Sequence, residues 1–290
     1  MWEDLSSFLY PSLILPFKQY MFRRRPLVAC FALALGCGPI GTILILRRMS
    51  LMGDAISHAI LPGAAVGFLL AGLSIPIMSL CGFIAGLAVA LAAGMLSRHT
   101  LLREDATLSG FYLIALGIGV LLISTHGGHV DLMCVLLGTI LSINEASLVL
   151  VASLSTLTLL GFAMMYRPLL LECYDPSFLK SVGGRGHIYH YTFLFMVVMN
   201  LVSAFQAIGT LMALGLMMLP AIAARFWAQQ VWKLAIISAF FTFVSGYTGL
   251  LISYHGEWPS GPSIILVAGL LYMVSFIFGR FGSVLSKVYR

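Results

Sequence analysis

The stretch RRMSLMGDAISHAILPG, residues 47–63, sets two arginines before an apolar run and then places an aspartate and a histidine inside that run. Asp54 and His58 are four residues apart, so on an α-helix they share one face, one turn from each other. A charged side chain at mid-bilayer costs about 3 kcal/mol or more, so ionisable groups in a spanning helix normally face a cavity or passage. With a helix start near Met49, Asp54 lies roughly 8 Å along the axis and His58 roughly 14 Å, at about 1.5 Å per residue. One carboxylate oxygen and one imidazole nitrogen suit a divalent cation. Two such pairs, from two chains, supply four protein ligands, enough for a tetrahedral site or for an octahedral one completed by water. Ligation needs a neutral imidazole, so acid is expected to weaken it. The same spacing also fits an Asp–His hydrogen bond within helix packing, or a proton relay. Spacing alone leaves all three open.

The rest of the chain supports the membrane setting. Of 290 residues, 60% are hydrophobic and 9% charged, and the mean hydropathy is +1.03. Soluble domains carry about 25% charged residues, so this chain cannot cover a water-facing surface, and its apolar character excludes disorder. Glycine supplies 29 residues, which suits close helix packing in lipid. At about 20 residues per helical span there is room for about eight to ten spans and little else. An ATPase or a soluble catalytic domain does not fit, so any energy source is another chain or an ion gradient. The five cysteines (Cys30, Cys37, Cys81, Cys134 and Cys173) are scattered singly, which reads as packing rather than as a disulfide or thiolate framework.

Apolar runs of spanning length fall at about 27–46, 55–72, 76–96, 107–125, 147–165, 191–205, 207–224, 234–253 and 263–279. Three connecters (72–76, 126–146 and 254–262) hold no Lys or Arg. The alternate ones hold Arg47 and Arg48, Arg98 and Arg103, Arg167, Lys180 and Arg185, Arg225 and Lys233, and Arg280, Lys287 and Arg290. The positive-inside rule puts this second set, with the C-terminus, in the cytoplasm. The same placement accounts for the pI near 9.2 without nucleic acid as a partner. Nine spans put the N-terminus outside; a re-entrant or fused run reduces the count to eight. Arg23, Arg24 and Arg25 conflict with Arg47 and Arg48, one run away, if both clusters are to be cytoplasmic. Residues 5–17 are too short to span and carry two prolines, so they read as an interfacial segment, and no cleavable signal peptide is evident.

Residues 47–63 closely resemble the signature of membrane permeases in the zinc/manganese/iron family of ATP-binding-cassette importers. Further likenesses follow in family order: GPIGTILIL (38–46), REDATLSGFYLIALGIGVLLIS (103–124), DLMCVLLGTILSI (131–143), YDPSFLKSVGG (174–184), GTLMALGLMMLPAIAARF (209–226) and EWPSGPSIILVAGLLY (257–272). Two features depart from the pattern: Leu179, where the family loop usually has Ala, and the N-terminal extension through Pro26.

The resemblance implies an all-α polytopic bundle of eight to nine spans, like a type II importer permease. It implies a multi-pass protein of the bacterial cytoplasmic (inner) membrane, non-catalytic, with ATP hydrolysed on a dimer of separate cytoplasmic subunits. An extracytoplasmic metal-binding protein and a second permease chain, identical or similar, complete the assembly. No cofactor is permanently bound; Mn²⁺, Zn²⁺ or Fe²⁺ is cargo. Asp54 and His58 stand where the family's intramembrane metal ligands stand. The segment 174–186 stands where the ATPase-docking helix lies. There Asp175 and Pro176 suit a helix start and Gly183–Gly184 a helix end, with Phe178, Leu179 and Val182 on one apolar side. The chain thus divides into an interfacial segment (1–26), a transmembrane permease domain (27–280) and a cytoplasmic tail (281–290). His126, His129, Asp131, His255 and Glu257 lie in external connecters and are candidates for metal entry, or are simply solvated. Met49, Met52, Met212, Met217 and Met218 read as helix packing rather than a copper route. Gradient-driven cation transport, with Asp54 and His58 relaying protons, is the alternative, and an intramembrane metalloenzyme finds no H-E-x-x-H to support it.

Overall fold

The computed structural model describes residues 21–72, 74–100, 104–126, 145–181, 184 and 186–284. Among the described residues the regular elements are α-helices. We number them α1 (Met21–Leu46), α2 (Met52–Ala71), α3 (Ile75–His99), α4 (Glu104–His126), α5 (Glu145–Tyr174), α6 (Pro176–Ser181), α7 (Gly186–Ile208), α8 (Thr210–Ala224), α9 (Val231–Gly256) and α10 (Ser260–Phe278). Eight of them are long and apolar enough to cross a membrane. The run at 207–224 becomes α8, whose 15 residues extend about 22 Å, short of a hydrocarbon core of about 30 Å. Gly209 separates α7 from α8 at φ +85°, a backbone geometry that glycine adopts without strain.

Two contacts fix the relative direction of the spans. Arg25, near the start of α1, pairs with Glu145 at the start of α5. Arg47, just past the end of α1, donates Nε–H to Cys173 Sγ at 3.2 Å, near the end of α5. Helices α1 and α5 therefore run parallel, and the start of α1 shares a side with the start of α5. The Arg25–Glu145 pair offsets positive charge on the side where the charge rule disfavours it, which eases the conflict between Arg25 and Arg47. At the opposite end, Leu46, Tyr174, Arg225 and Phe281 line one cavity of about 430 Å³. Arg98 meets Glu172 at that same end. The arginine-bearing connecters among the described residues thus gather on one side of the bundle.

Helices α1 and α7 form its interior. Leu33, Ile40, Ile43 and Leu44 of α1 and Phe193, Leu194 and Leu201 of α7 are fully buried. A polar contact crosses this core: Asn200 Nδ2 donates to Thr158 Oγ1 at 2.5 Å, tying α7 to α5. Interhelical hydrogen bonds of this kind hold membrane helices together where lipid removes the usual hydrophobic incentive.

Small residues set how closely the helices approach. A methyl group placed on Gly63 of α2 would fall 2.4 Å from the carbonyl oxygen of Cys81 on α3, and one on Gly67 would fall 2.7 Å from Met78 Cα. Backbone meets backbone along this pair, so α2 and α3 form a closely packed hairpin. Replacing Gly63 by Leu forces the hairpin apart at an expected cost of about 1–3 kcal/mol. Gly110→Ala and Gly117→Ala, at positions with nothing within 4 Å, are expected to leave stability unchanged. Thermal unfolding in detergent checks the contrast; equal midpoints for Gly63→Leu and the two alanine variants would show that the hairpin does not pack this closely.

Candidate functional site

The turn before α2 determines where Asp54 and His58 stand. Helix α1 closes with Met49 N–H on the carbonyl of Leu44 at 2.9 Å, and Arg48 takes the left-handed conformation at φ 59°. This is the six-to-one closure of a Schellman motif, with Arg48 where glycine is usual. The turn consumes residues 47–51, so α2 begins at Met52 rather than near Met49. Asp54 is therefore in the first helical turn, about 3 Å along the axis, and His58 is about 9 Å along it. The expected offsets of roughly 8 and 14 Å are shortened because the left-handed residue interrupts the helix. A carboxylate in a first turn also gains from the positive end of the helix dipole.

His58 Nε2 lies 3.5 Å from Asp54 Oδ1. The imidazole stacks on Tyr112 of α4, with centroids 5.9 Å apart and planes 27° apart. Elsewhere α2 is packed: a methyl on Gly53 would meet Leu214 at 2.7 Å and the methionine tips of Met217 and Met218 at 3.1 and 3.2 Å. Ser57 turns its hydroxyl back onto the Gly53 carbonyl at 2.8 Å. Asp54 and His58 lie on the side turned toward α4, where Pro62, one turn beyond His58, packs against Gly119. The side chains of His58 and Asp54 are 38% and 48% exposed, and toward the far end of α2 Val66, Leu69 and Leu70 are exposed. Among the described residues no group of three or more His, Cys, Asp or Glu is arranged to hold a metal. One chain thus presents two half-exposed donors beside α4.

The other candidates are dispersed. His126 is the last residue of α4, and His129 and Asp131 lie outside the described residues. His255 engages the Leu251 carbonyl through Nδ1 at 3.0 Å, and Glu257 closes α9 in the left-handed conformation at φ 53°. Both are exposed. The methionines pack: Met49, Met52, Met212, Met217 and Met218 are all buried.

In the segment 174–186, Asp175 caps α6 by accepting Phe178 N–H at 2.9 Å on Oδ1. Pro176 opens the helix, and Gly184 N–H returns to the Leu179 carbonyl at 2.8 Å. Phe178 is exposed, whereas Leu179 is buried, so those two do not form one outward apolar side. Leu179 occupies the space that Gly184 and Gly186 leave: a methyl on Gly184 would fall 2.6 Å from its Cδ1. That contact accommodates the leucine where the family loop usually has alanine. Val182 and Gly183 lie outside the described residues.

Several contacts have no counterpart in the sequence reading. Tyr112 approaches His58 from a different helix, and no spacing rule links them. Arg47 and Arg98 serve there only as orientation signals, yet Arg47 Nη1 lies 2.8 Å from His190 Nδ1 and Arg98 Nη2 donates to Glu172 at 2.6 Å. Glu172, the only acid in residues 146–174, was the available clue.

The helical fold and much of the sequence are shared with known proteins. The "Manganese import system permease protein ScaB" of Streptococcus parasanguinis is 30% identical over 259 residues, 89% of this chain and 91% of the relative. The "Manganese transport system membrane protein MntC" of Halalkalibacterium halodurans is 31% identical over 272 residues, 93% of this chain and 92% of the relative. The solved structure described as "PsaBC from Streptococcus pneumoniae in complex with Fab" superposes with a TM-score of 0.81 at 27% identity, covering 96% of this chain and 98% of its own. The family model described as "ABC 3 transport family" matches residues 19–279. With nine-tenths of its length accounted for in this way, the chain is a multi-pass membrane permease belonging to the ABC 3 transport family.

Proposed function

We propose that this chain is the permease subunit of an ATP-driven importer that carries a divalent transition metal ion into the cytoplasm, with Mn²⁺ as the first candidate cargo. The carrying observation is the Asp54–His58 pair, a carboxylate and an imidazole 3.5 Å apart and half-exposed near the start of an apolar spanning helix. A carboxylate and an imidazole suit Mn²⁺, Zn²⁺ or Fe²⁺. The names of ScaB and MntC favour manganese. Nothing in the family match favours a gradient-driven carrier.

In this reading a second permease chain, the same or similar, lies against the half-exposed pair on α2. The two Asp54–His58 pairs then form one site on the axis between chains. Cytoplasmic ATP-binding subunits dock at α6, and an extracytoplasmic metal-binding protein delivers the ion near the ends of α4 and α9. The arginine-bearing end and the C-terminus face the cytoplasm. ATP hydrolysis on the partner subunits switches the pair between two packings and exposes the Asp54–His58 level alternately to each side. The permease itself forms and breaks no covalent bond. Binding at the site is moderate, because an ion held too firmly cannot leave.

Replacing Asp54 and His58 together by Ala should abolish Mn²⁺ uptake in vesicles containing the assembled importer, while the permease still copurifies with its ATPase. Normal uptake by that double variant contradicts the site. Tyr112→Leu removes the stack that orients His58. An aromatic contact contributes about 0.5–1.5 kcal/mol, so Mn²⁺ affinity should fall roughly two- to tenfold, measured by titration of the assembled complex. Unaltered affinity would show that the imidazole needs no such support.

A further inference from the structure

We infer that residues Glu172 and Cys173, at the end of α5, are the joint that transmits movement of the ATPase-docking helix to the metal-bearing helix. The inference rests on the transport reading above and adds positioning residues to it. Three links meet at this point. The first is covalent: Asp175, which caps α6, follows Cys173 by two residues. The second runs to α2, because Cys173 Sγ accepts the Arg47 Nε–H at 3.2 Å, and Arg47 precedes the first residue of α2 by five positions. The third runs to α3, where Arg98 donates to Glu172 Oε1 at 2.6 Å.

Helices α2 and α3 are the two halves of the closely packed hairpin. Both are therefore gripped at the same end by an arginine, Arg47 on Cys173 and Arg98 on Glu172, two consecutive residues of α5. The hairpin carries Asp54 and His58. A displacement of α6 that moves residues 172–175 therefore pulls on the whole hairpin rather than on one loop.

The joint is enclosed. The Glu172 side chain is 9% exposed, and a methyl on Gly186 would fall 2.3 Å from its Oε2, so the carboxylate lies directly against the start of α7. Arg47 is fixed a second time by His190 Nδ1, 2.8 Å from Nη1. In such a setting a charge pair is held by geometry, and losing one partner leaves the other charge poorly compensated. A side chain that only anchored a helix end in solvent would need neither enclosure nor two partners.

The test is carried out on the complete importer reconstituted in vesicles, measuring Mn²⁺ moved per ATP hydrolysed. Glu172→Gln and Arg98→Gln are each expected to lower that ratio at least fivefold, with ATP hydrolysis and Mn²⁺ binding without ATP both within about twofold of the unaltered complex. The combined variant should be no worse than the poorer single one, because both changes break the same link. Arg98→Lys, which keeps the charge, should keep at least half the ratio. An unchanged ratio in Glu172→Gln and Arg98→Gln overturns the joint, and so does a parallel fall in hydrolysis, binding and uptake, which marks a purely structural role. If the unaltered complex shows no ATP-driven Mn²⁺ uptake, the transport reading itself fails and the joint with it.

Discussion

Water cannot reach the middle of a bilayer to solvate an ion, and this constraint decides how α2 has to be used. A charged group at that depth costs about 3 kcal/mol or more. The helix dipole returns about 0.3–1 kcal/mol to Asp54 in the first turn, and the 3.5 Å contact with His58 returns more only when the imidazole is protonated. Asp54 stands about 3 Å and His58 about 9 Å into α2, so the cost grows from the first group to the second. Both side chains stay half-exposed while glycine, alanine and isoleucine contacts pack much of α2. A covering surface and a neutralising ion would remove that cost together. The proposed site between two permeases follows from that cost more than from the donors themselves.

The glycines of the hairpin serve the same end. Gly63 and Gly67 bring α2 against α3 at backbone distance, and Gly53 makes room for the side-chain ends of Leu214, Met217 and Met218 of α8. A loosely packed α2 would let Asp54 and His58 turn away from any axis between chains. Close packing fixes their direction. The price is that the ends of the hairpin need securing, and the arginines at 47 and 98 secure them against α5.

Much of this was legible in the residues alone. Spanning runs, their alternating positive charge and the Asp54–His58 spacing all depend on local composition, which lipid makes unusually informative because every buried backbone group must be satisfied within its own helix. The nine apolar runs correspond to nine helices among the described residues, with α8 too short to cross. What stayed hidden depends on contacts between distant helices. The left-handed turn at Arg48 has no glycine to announce it, so α2 begins three residues later than the sequence alone suggests. Helix α5 extends through Arg167 and Pro168 to Tyr174, well past the run at 147–165, and only that extension brings Glu172 and Cys173 to the arginines. The burial of Leu179 depends on two glycines beyond α6, a matter of packing that periodicity does not report. Tyr112 belongs to the same class: an aromatic on an apolar helix is indistinguishable from its neighbours until α4 is seen beside α2.

The most direct measurement is pulsed electron paramagnetic resonance on Mn²⁺ trapped in the assembled permease pair with its ATPase. Imidazole ligation couples the manganese spin to nitrogen, so the spectrum should carry nitrogen couplings from two equivalent histidines, and His58→Ala should erase them. Manganese held with the native affinity but without any nitrogen coupling would contradict the central claim.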